Sequence, residues 1–133
     1  MGIVYSKIIL RNPRLPDLEP IEVNALADSG ALFLCIPEAL CERLQLEKVS
    51  DQRVALADGS TRTVPYVGPI EMRFKNRVGF TGALVLGQEV LVGAIPMEEL
   101  DLVIIPRTQT LDVNPASPDM ASSIVKQTEA SYG

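Results

Sequence analysis

Apolar residues along this chain come in short runs, broken every few positions by Gly, Pro, Asn or Asp. Residues 2–10 are rich in Ile, Val and Tyr and predict a first strand. Residues 11–20 hold three prolines and predict a loop. Residues 21–27 form a second apolar run that ends at Asp28-Ser29-Gly30, and residues 32–36 predict a third strand. Pro37-Glu38 then opens a short helix carried to Leu46 by Ala39, Leu40, Cys41 and Leu44. Proline suits a first helical turn, where its missing N–H has no partner to lose. Residues 53–57 and 60–67 predict a hairpin turning at Asp58-Gly59, because glycine supplies the positive φ of a tight turn. Residues 69–74, 78–81 and 83–86 are further strand material, with a turn at Asn76-Arg77. A compact apolar run, residues 89–94, contains Gly93. A second short helix starts at Pro96, and residues 103–105 and 110–113 predict closing strands. Many short strands at close spacing with two short helices define a mostly-β, barrel-like single domain over residues 1–114.

Beyond Asn114 the pattern stops. Residues 115–133 are rich in Ser, Ala, Pro, Thr and Gln with few apolar anchors, which predicts a flexible C-terminal tail. Of the 133 residues, 47% are hydrophobic and 5% aromatic, with no tryptophan, so the core is expected to be aliphatic. The net charge of −5 disfavours nucleic acid and anionic membrane as partners, since phosphate binding needs clustered Lys and Arg. The one basic run, Arg73-Phe74-Lys75-Asn76-Arg77, reads as a solvated hairpin. With two cysteines, Cys35 and Cys41, and no histidine, a zinc site is not expected and neither is a disulfide framework. Free thiols fit a cytoplasmic location. No stretch approaches the roughly 20 apolar residues of a membrane span.

The candidate chemistry sits at Ala27-Asp28-Ser29-Gly30-Ala31. An acidic side chain ends a buried strand in a turn that glycine permits. Without histidine, Asp28 has no place in a Ser-His-Asp or Cys-His machine. Such a carboxylate works with water, with a metal or with a second carboxylate. Its plain structural alternative is an Asx-turn at a strand end, with the aspartate bonding its own backbone.

Three elements stand in order: Asp28-Ser29-Gly30-Ala31, then Ala57-Asp58-Gly59, then Leu91-Val92-Gly93 with a short helix following. In this order the chain resembles the retroviral-type (retropepsin-like) aspartic proteases, above all the small bacterial members of that group. Their pattern runs Asp-Ser/Thr-Gly-Ala, Ala-Asp-Gly, then Leu-Gly-x-x-x-Leu-Glu-x-Leu, against which this chain reads Val92-Gly93-Ala94-Ile95-Pro96-Met97-Glu98-Glu99-Leu100. The resemblance implies an acid-protease-like β-barrel that forms a two-fold dimer. It implies that Asp28 is the catalytic carboxylate and that the Ser29 hydroxyl braces the two active-site loops across the subunit boundary. Gly30 then lets the facing loop come close, beside the small Ala31. Leu91, Val92 and Gly93 support the loop from beneath. Ala57, Asp58 and Gly59 form a flap over substrate. Ala94 departs from the charged or amide residue usual after this glycine in the viral enzymes, which leaves the mode of subunit contact open, as does the part that residues 2–10 and 110–113 play in a shared terminal sheet.

The implied reaction is hydrolysis of peptide bonds in a peptide or protein substrate, with no metal and no cofactor. One carboxylate takes a proton from water while the other, protonated, donates to the carbonyl oxygen. Two carboxylates ~3 Å apart repel by roughly 5 kcal/mol at an effective dielectric of 20, and aspartic-protease dyads are the known case of such a pair sharing one proton. This chain supplies one such aspartate, so a homodimer is required for activity. Two alternatives remain open: a catalytically inactive module of the same fold that binds a peptide or partner, and an unrelated small β-barrel in which Asp28 is only a turn residue.

Overall fold

A computed structural model describes residues 3–125. The short apolar runs become nine strands and two helices: β1 (Val4–Arg11), β2 (Ile21–Ala27), β3 (Leu34–Ile36), α1 (Glu38–Arg43), β4 (Lys48–Ala55), β5 (Thr61–Phe74), β6 (Arg77–Val85), β7 (Leu91–Val92), α2 (Ala94–Glu99), β8 (Leu102–Ile105) and β9 (Thr110–Val113). None of the described helices is long and apolar enough to cross a membrane.

The strands pair in the order β1-β2-β7-β3-β6-β5-β4, and β1 pairs again with β5. That second pairing closes β1, β2, β7, β3, β6 and β5 into a six-stranded barrel, with β4 extending outward from β5 as a hairpin. Closure removes most open edges, which an aliphatic chain of short strands would otherwise expose. β7 is the pivot. Its two residues run parallel to β2, with Leu26 beside Leu91 and Ala27 beside Val92, and antiparallel to β3, with Cys35 beside Leu91. β8 and β9 form a separate two-stranded sheet. The core is aliphatic as expected, with Ile8, Leu10, Leu34, Ile36, Ile70 and Val92 at most 1% exposed. Phe74 is the one aromatic residue in it among those described.

Several boundaries differ from the sequence expectation for local reasons. Residues 60–67 and 69–74 join into one 14-residue strand, β5, whose pairing with β6 shifts register between Val67 and Ile70 around the cis Gly68–Pro69 bond. Residues 78–81 and 83–86 likewise fuse into β6. The third strand starts at Leu34, not at residue 32, because the Leu32 carbonyl is taken by the Ile95 N–H of α2 at 2.9 Å. α1 ends at Arg43, before the left-handed Gln45 (φ 51°). α2 begins at Ala94, two residues ahead of Pro96. The hairpin tip spans residues 56–60 with only Gly59 at positive φ (88°), so it is a wider turn than a two-residue Asp-Gly hairpin.

Arg77 is the clearest departure. It is not a solvated turn residue but begins β6 and is 1% exposed. The alternation of β6 places Arg77 and Gly79 inward while Val78 and Phe80 face solvent. The Arg77 Nη2 donates to the Ser117 carbonyl at 2.5 Å and lies 3.8 Å from the Asp101 carboxylate. Its Nε and Nη1 have no hydrogen-bond partner among the described residues. Asp101, just past α2, accepts hydrogen bonds from the Asn114 side chain (3.1 Å), the Ser117 hydroxyl and the Ser122 N–H (2.9 Å). Asn76 Nδ2 donates to the carbonyls of Pro118 and Asp119 at 2.9 and 3.1 Å. Residues 114–125 thus carry no helix or strand, while residues 114–122 make bonds to the end of α2 and the β5–β6 turn. Residues 126–133 lie outside the described residues.

Candidate active site

Asp28 follows the last residue of β2, and its position is set by backbone. Its N–H donates to the Val92 carbonyl at 3.0 Å, which extends the parallel β2–β7 pairing by one step. The chain then turns: the Ala31 N–H donates to the Asp28 carbonyl at 3.1 Å, and the Gly30 N–H donates to Asp28 Oδ1 at 2.9 Å. The Asx-turn considered for this position is therefore present. It uses one carboxylate oxygen and fixes the side-chain torsions. Oδ2 has no protein hydrogen bond among the described residues, and Asp28 is exposed. A β-carbon at Gly30 would lie 3.1 Å from Asp28 Oδ1, so glycine there leaves the carboxylate its place.

The loop is held from beneath by Gly93 and α2. The Ala94 N–H donates to the Ala31 carbonyl at 2.8 Å, and the Ile95 N–H to the Leu32 carbonyl at 2.9 Å. The first N–H groups of a helix lack partners inside it, and α2 spends two of them on the Asp28 loop. Pro96 in that same turn has no N–H to satisfy. At Gly93 a β-carbon would sit 2.6 Å from the Phe33 carbonyl oxygen, 2.7 Å from the Leu32 carbonyl carbon and 2.8 Å from the Ala31 carbonyl oxygen. Those are backbone atoms with no means of turning away, so only glycine lets the two segments cross. Val92 and Gly93 thus meet the Asp28 loop directly, while Leu91 pairs with Leu26 of β2 and Cys35 of β3 on either side of it.

The Ala57-Asp58-Gly59 tip is held by bonds of its own. Asp58 Oδ1 accepts from the Ser60 N–H at 2.9 Å and the Ser60 hydroxyl at 2.5 Å. These bonds, the hydroxyl first, hold the Asp58 carboxyl below its usual range. No hydrogen bond among the described residues joins this tip to the Asp28 loop. A depression of about 610 Å³ opens beside Asp28 and Ser29, bordered by Val4, Ala27, Ile104, Pro106 and Gln109. Ile104, Pro106 and Gln109 belong to the β8–β9 hairpin and carried no signal in the sequence, since their nearness to Asp28 follows only from closure of the chain.

Among the described residues no group of three or more His, Cys, Asp and Glu is placed to hold a metal ion. Cys35 and Cys41 are free thiols, and burial raises both above the ordinary thiol range, away from the reactive thiolate form.

No family model and no curated protein matches the chain in sequence. Solved structures do match in shape. The EIAV protease in complex with an inhibitor superposes with a TM-score of 0.57 at 16% identity, over 74% of this chain and 88% of its own. The retroviral protease-like domain of Ddi1 from Leishmania major superposes with a TM-score of 0.56 at 11% identity, over 86% of this chain and 91% of its own. The chain has the retroviral protease-like fold: a six-stranded barrel with two short helices, as the order of its motifs implied.

Proposed function

We propose that this protein is an aspartic endopeptidase whose site forms when two copies of Asp28 face each other across a two-fold axis. The observation that supports this best is the mounting of Asp28. An exposed carboxylate is pinned through Asp28, Ala31 and Leu32 to the Val92–Gly93–α2 segment, with one oxygen bonded and the other without a protein hydrogen bond among the described residues, on a fold shared with retroviral proteases. A rigid mount serves a group that must meet its partner within about half an ångström of the productive geometry. It is more than a surface turn requires.

In this reading one Asp28 carboxylate accepts a proton from the attacking water. Its twin donates a proton to the peptide carbonyl oxygen, and both return to the starting state as the amine leaves. Ser29, next to Asp28, braces the paired loops. The extended substrate pairs backbone to backbone, under the β4–β5 hairpin whose tip is Ala57, Asp58 and Gly59. The work needs no metal or cofactor. Our second reading keeps the fold and the groove but not the hydrolysis: a peptide-binding module, in which the Asx-turn of Asp28 is purely structural.

Incubation with a mixed peptide library at several pH values, followed by mass spectrometry, separates the two. Cleavage by the wild type that is lost in Asp28→Asn supports the protease. Peptide binding without cleavage, unchanged by Asp28→Asn, supports the binding module.

A further inference from the structure

We infer that Arg62 makes this protein select peptides that carry a carboxylate beside an apolar stretch. This rests on the reading that an extended peptide lies between Asp28 and the β4–β5 hairpin, and it names the residue on that path that reads charge.

Cross-strand partners share one face of a sheet. Leu26 pairs with Leu91, Leu91 with Cys35, Cys35 with Leu84, and Leu84 with Tyr66. These five residues, on β2, β7, β3, β6 and β5, therefore form one row on one face. It is the outer face, since the neighbouring pairs Ala27–Val92, Leu34–Ala83 and Val67–Ala83 belong to the core. None of the five is charged, and none joins the core cluster. Asp28 comes two residues after Leu26, and its N–H prolongs the β2–β7 pairing, so it continues on this face at one end of the row. At the other end Tyr66 crosses Gly82, where a β-carbon would overlap its ring, and meets Phe33 edge-on at 6.1 Å between ring centroids. A solvated sheet face is ordinarily polar. Here it is an apolar path from Asp28 to the hairpin.

The same alternation runs on along β5 from Tyr66 to Val64 and Arg62. Val64 pairs with Gln52, and Arg62 with Val54. Among the paired residues 50–55 and 61–66, Arg62 is the one charged residue on this face. It is exposed and has no ion pair among the described residues; the one such pair within residues 48–67 is Lys48–Asp51 at 2.8 Å. Asp58, the nearest acid in sequence, gives its Oδ1 to Ser60. With Val54, Val64 and Gln52 around it, the Arg62 guanidinium is free to meet a carboxylate through two parallel hydrogen bonds. The rest of the molecule discourages an acidic ligand, because the net charge is −5. A preference for acid should therefore appear at one peptide position, the one that falls against Arg62. Arg53 supplies the contrast. It pairs with Thr63, one step along the same hairpin, so it faces the opposite way, and it too is exposed without an ion pair among the described residues.

A mixed peptide library at neutral pH tests this on the full chain with two readouts by mass spectrometry. One is the set of bonds cut by the wild type, and the other is the set of peptides retained by immobilised Asp28→Asn. The expected result is enrichment of Asp and Glu by roughly fivefold at one position. That enrichment should vanish in Arg62→Gln, turn into a preference for Lys and Arg in Arg62→Glu, and persist in Arg53→Glu. Arg53→Glu changes the net charge as much as Arg62→Glu, so a general electrostatic effect would move both alike. Arg62→Gln keeps the test valid if Arg62→Glu disturbs the hairpin. Cleavage without acid preference, or the same loss in the Arg53 and Arg62 variants, overturns the inference and leaves the protease standing. No cleavage by the wild type, with acidic peptides still retained through Arg62, upholds the inference and removes the hydrolytic reading. Neither cleavage nor retention overturns both.

Discussion

Gly93 shows how one residue type carries a site without touching its chemistry. Three backbone atoms crowd the direction of its absent side chain, the nearest at 2.6 Å. Gly93→Ala must push the Asp28 loop and the start of α2 apart, and overpacking of that kind costs about 1–3 kcal/mol. Chemical denaturation should show that loss, and cleavage should vanish with it. Asp28→Asn gives the opposite separation. The amide oxygen still accepts from the Gly30 N–H, and the side chain is exposed, so stability should stay within about 0.5 kcal/mol of the wild type while activity disappears. Asp101 adds a pH dependence. Hydrogen bonds from Ser117, Asn114 and the Ser122 N–H, with the Arg77 charge, hold its carboxyl below the usual range. A carboxyl lowered in the folded state contributes stability that is present above its unfolded value, about 3.9, and lost as pH falls through the folded value. The melting temperature of the wild type should therefore drop below about pH 4 more steeply than that of Asp101→Asn, measured by scanning calorimetry. Asp28 and Gly93 were legible in the sequence because each is a rare residue requirement at a strand end. Asp101 was not, because its partners Arg77, Asn114, Ser117 and Ser122 are scattered along the chain.

At the scale of elements, the fold was read best where pattern and pairing are local. β2, α1 and the β4–β5 hairpin follow from apolar runs, a helix-opening proline and an Asp-Gly turn. The pattern misled where tertiary packing reverses polarity, and β6 is the case in point. Its first residue is a buried arginine and its outward positions are Val78 and Phe80. Only the residues that cover Arg77 make that sensible. Residues 114–122 place the Ser117 carbonyl on its guanidinium and hold Asp101 beside it. A chain ending at Asn114 should expose or strand these groups and lose about 2 kcal/mol, the scale of a hydrogen bond to a charged group. Arg77→Met, combined with that truncation, should recover part of the loss because no buried charge is left unpartnered. A double-mutant cycle by urea denaturation measures the coupling. Additive effects would show that residues 114–122 do not stabilise Arg77.

On the proposed reading of Asp28, the whole molecule makes a demand that no single subunit meets. Hydrolysis by paired carboxylates needs two Asp28 side chains, and each chain contributes one. Activity must then follow the population of dimers and not the amount of protein. On dilution below the dimer constant, cleavage per chain should fall in proportion to the dimer fraction, which an enzyme complete in one subunit does not show. Mixing gives a sharper result. When wild type and Asp28→Asn chains are combined in equal amounts and allowed to exchange, random pairing leaves each wild-type chain with an intact partner only about half the time. Cleavage per wild-type chain should fall to roughly half, although no wild-type protein was removed. On that reading the variant is expected to act as a poison, because the substitution removes its carboxylate and leaves its fold in place. A site contained within one chain would show no loss on mixing, and a contact that never exchanges would show none until the chains are unfolded and refolded together. The refolded mixture is thus the decisive sample: full activity per wild-type chain there means that Asp28 works without its twin.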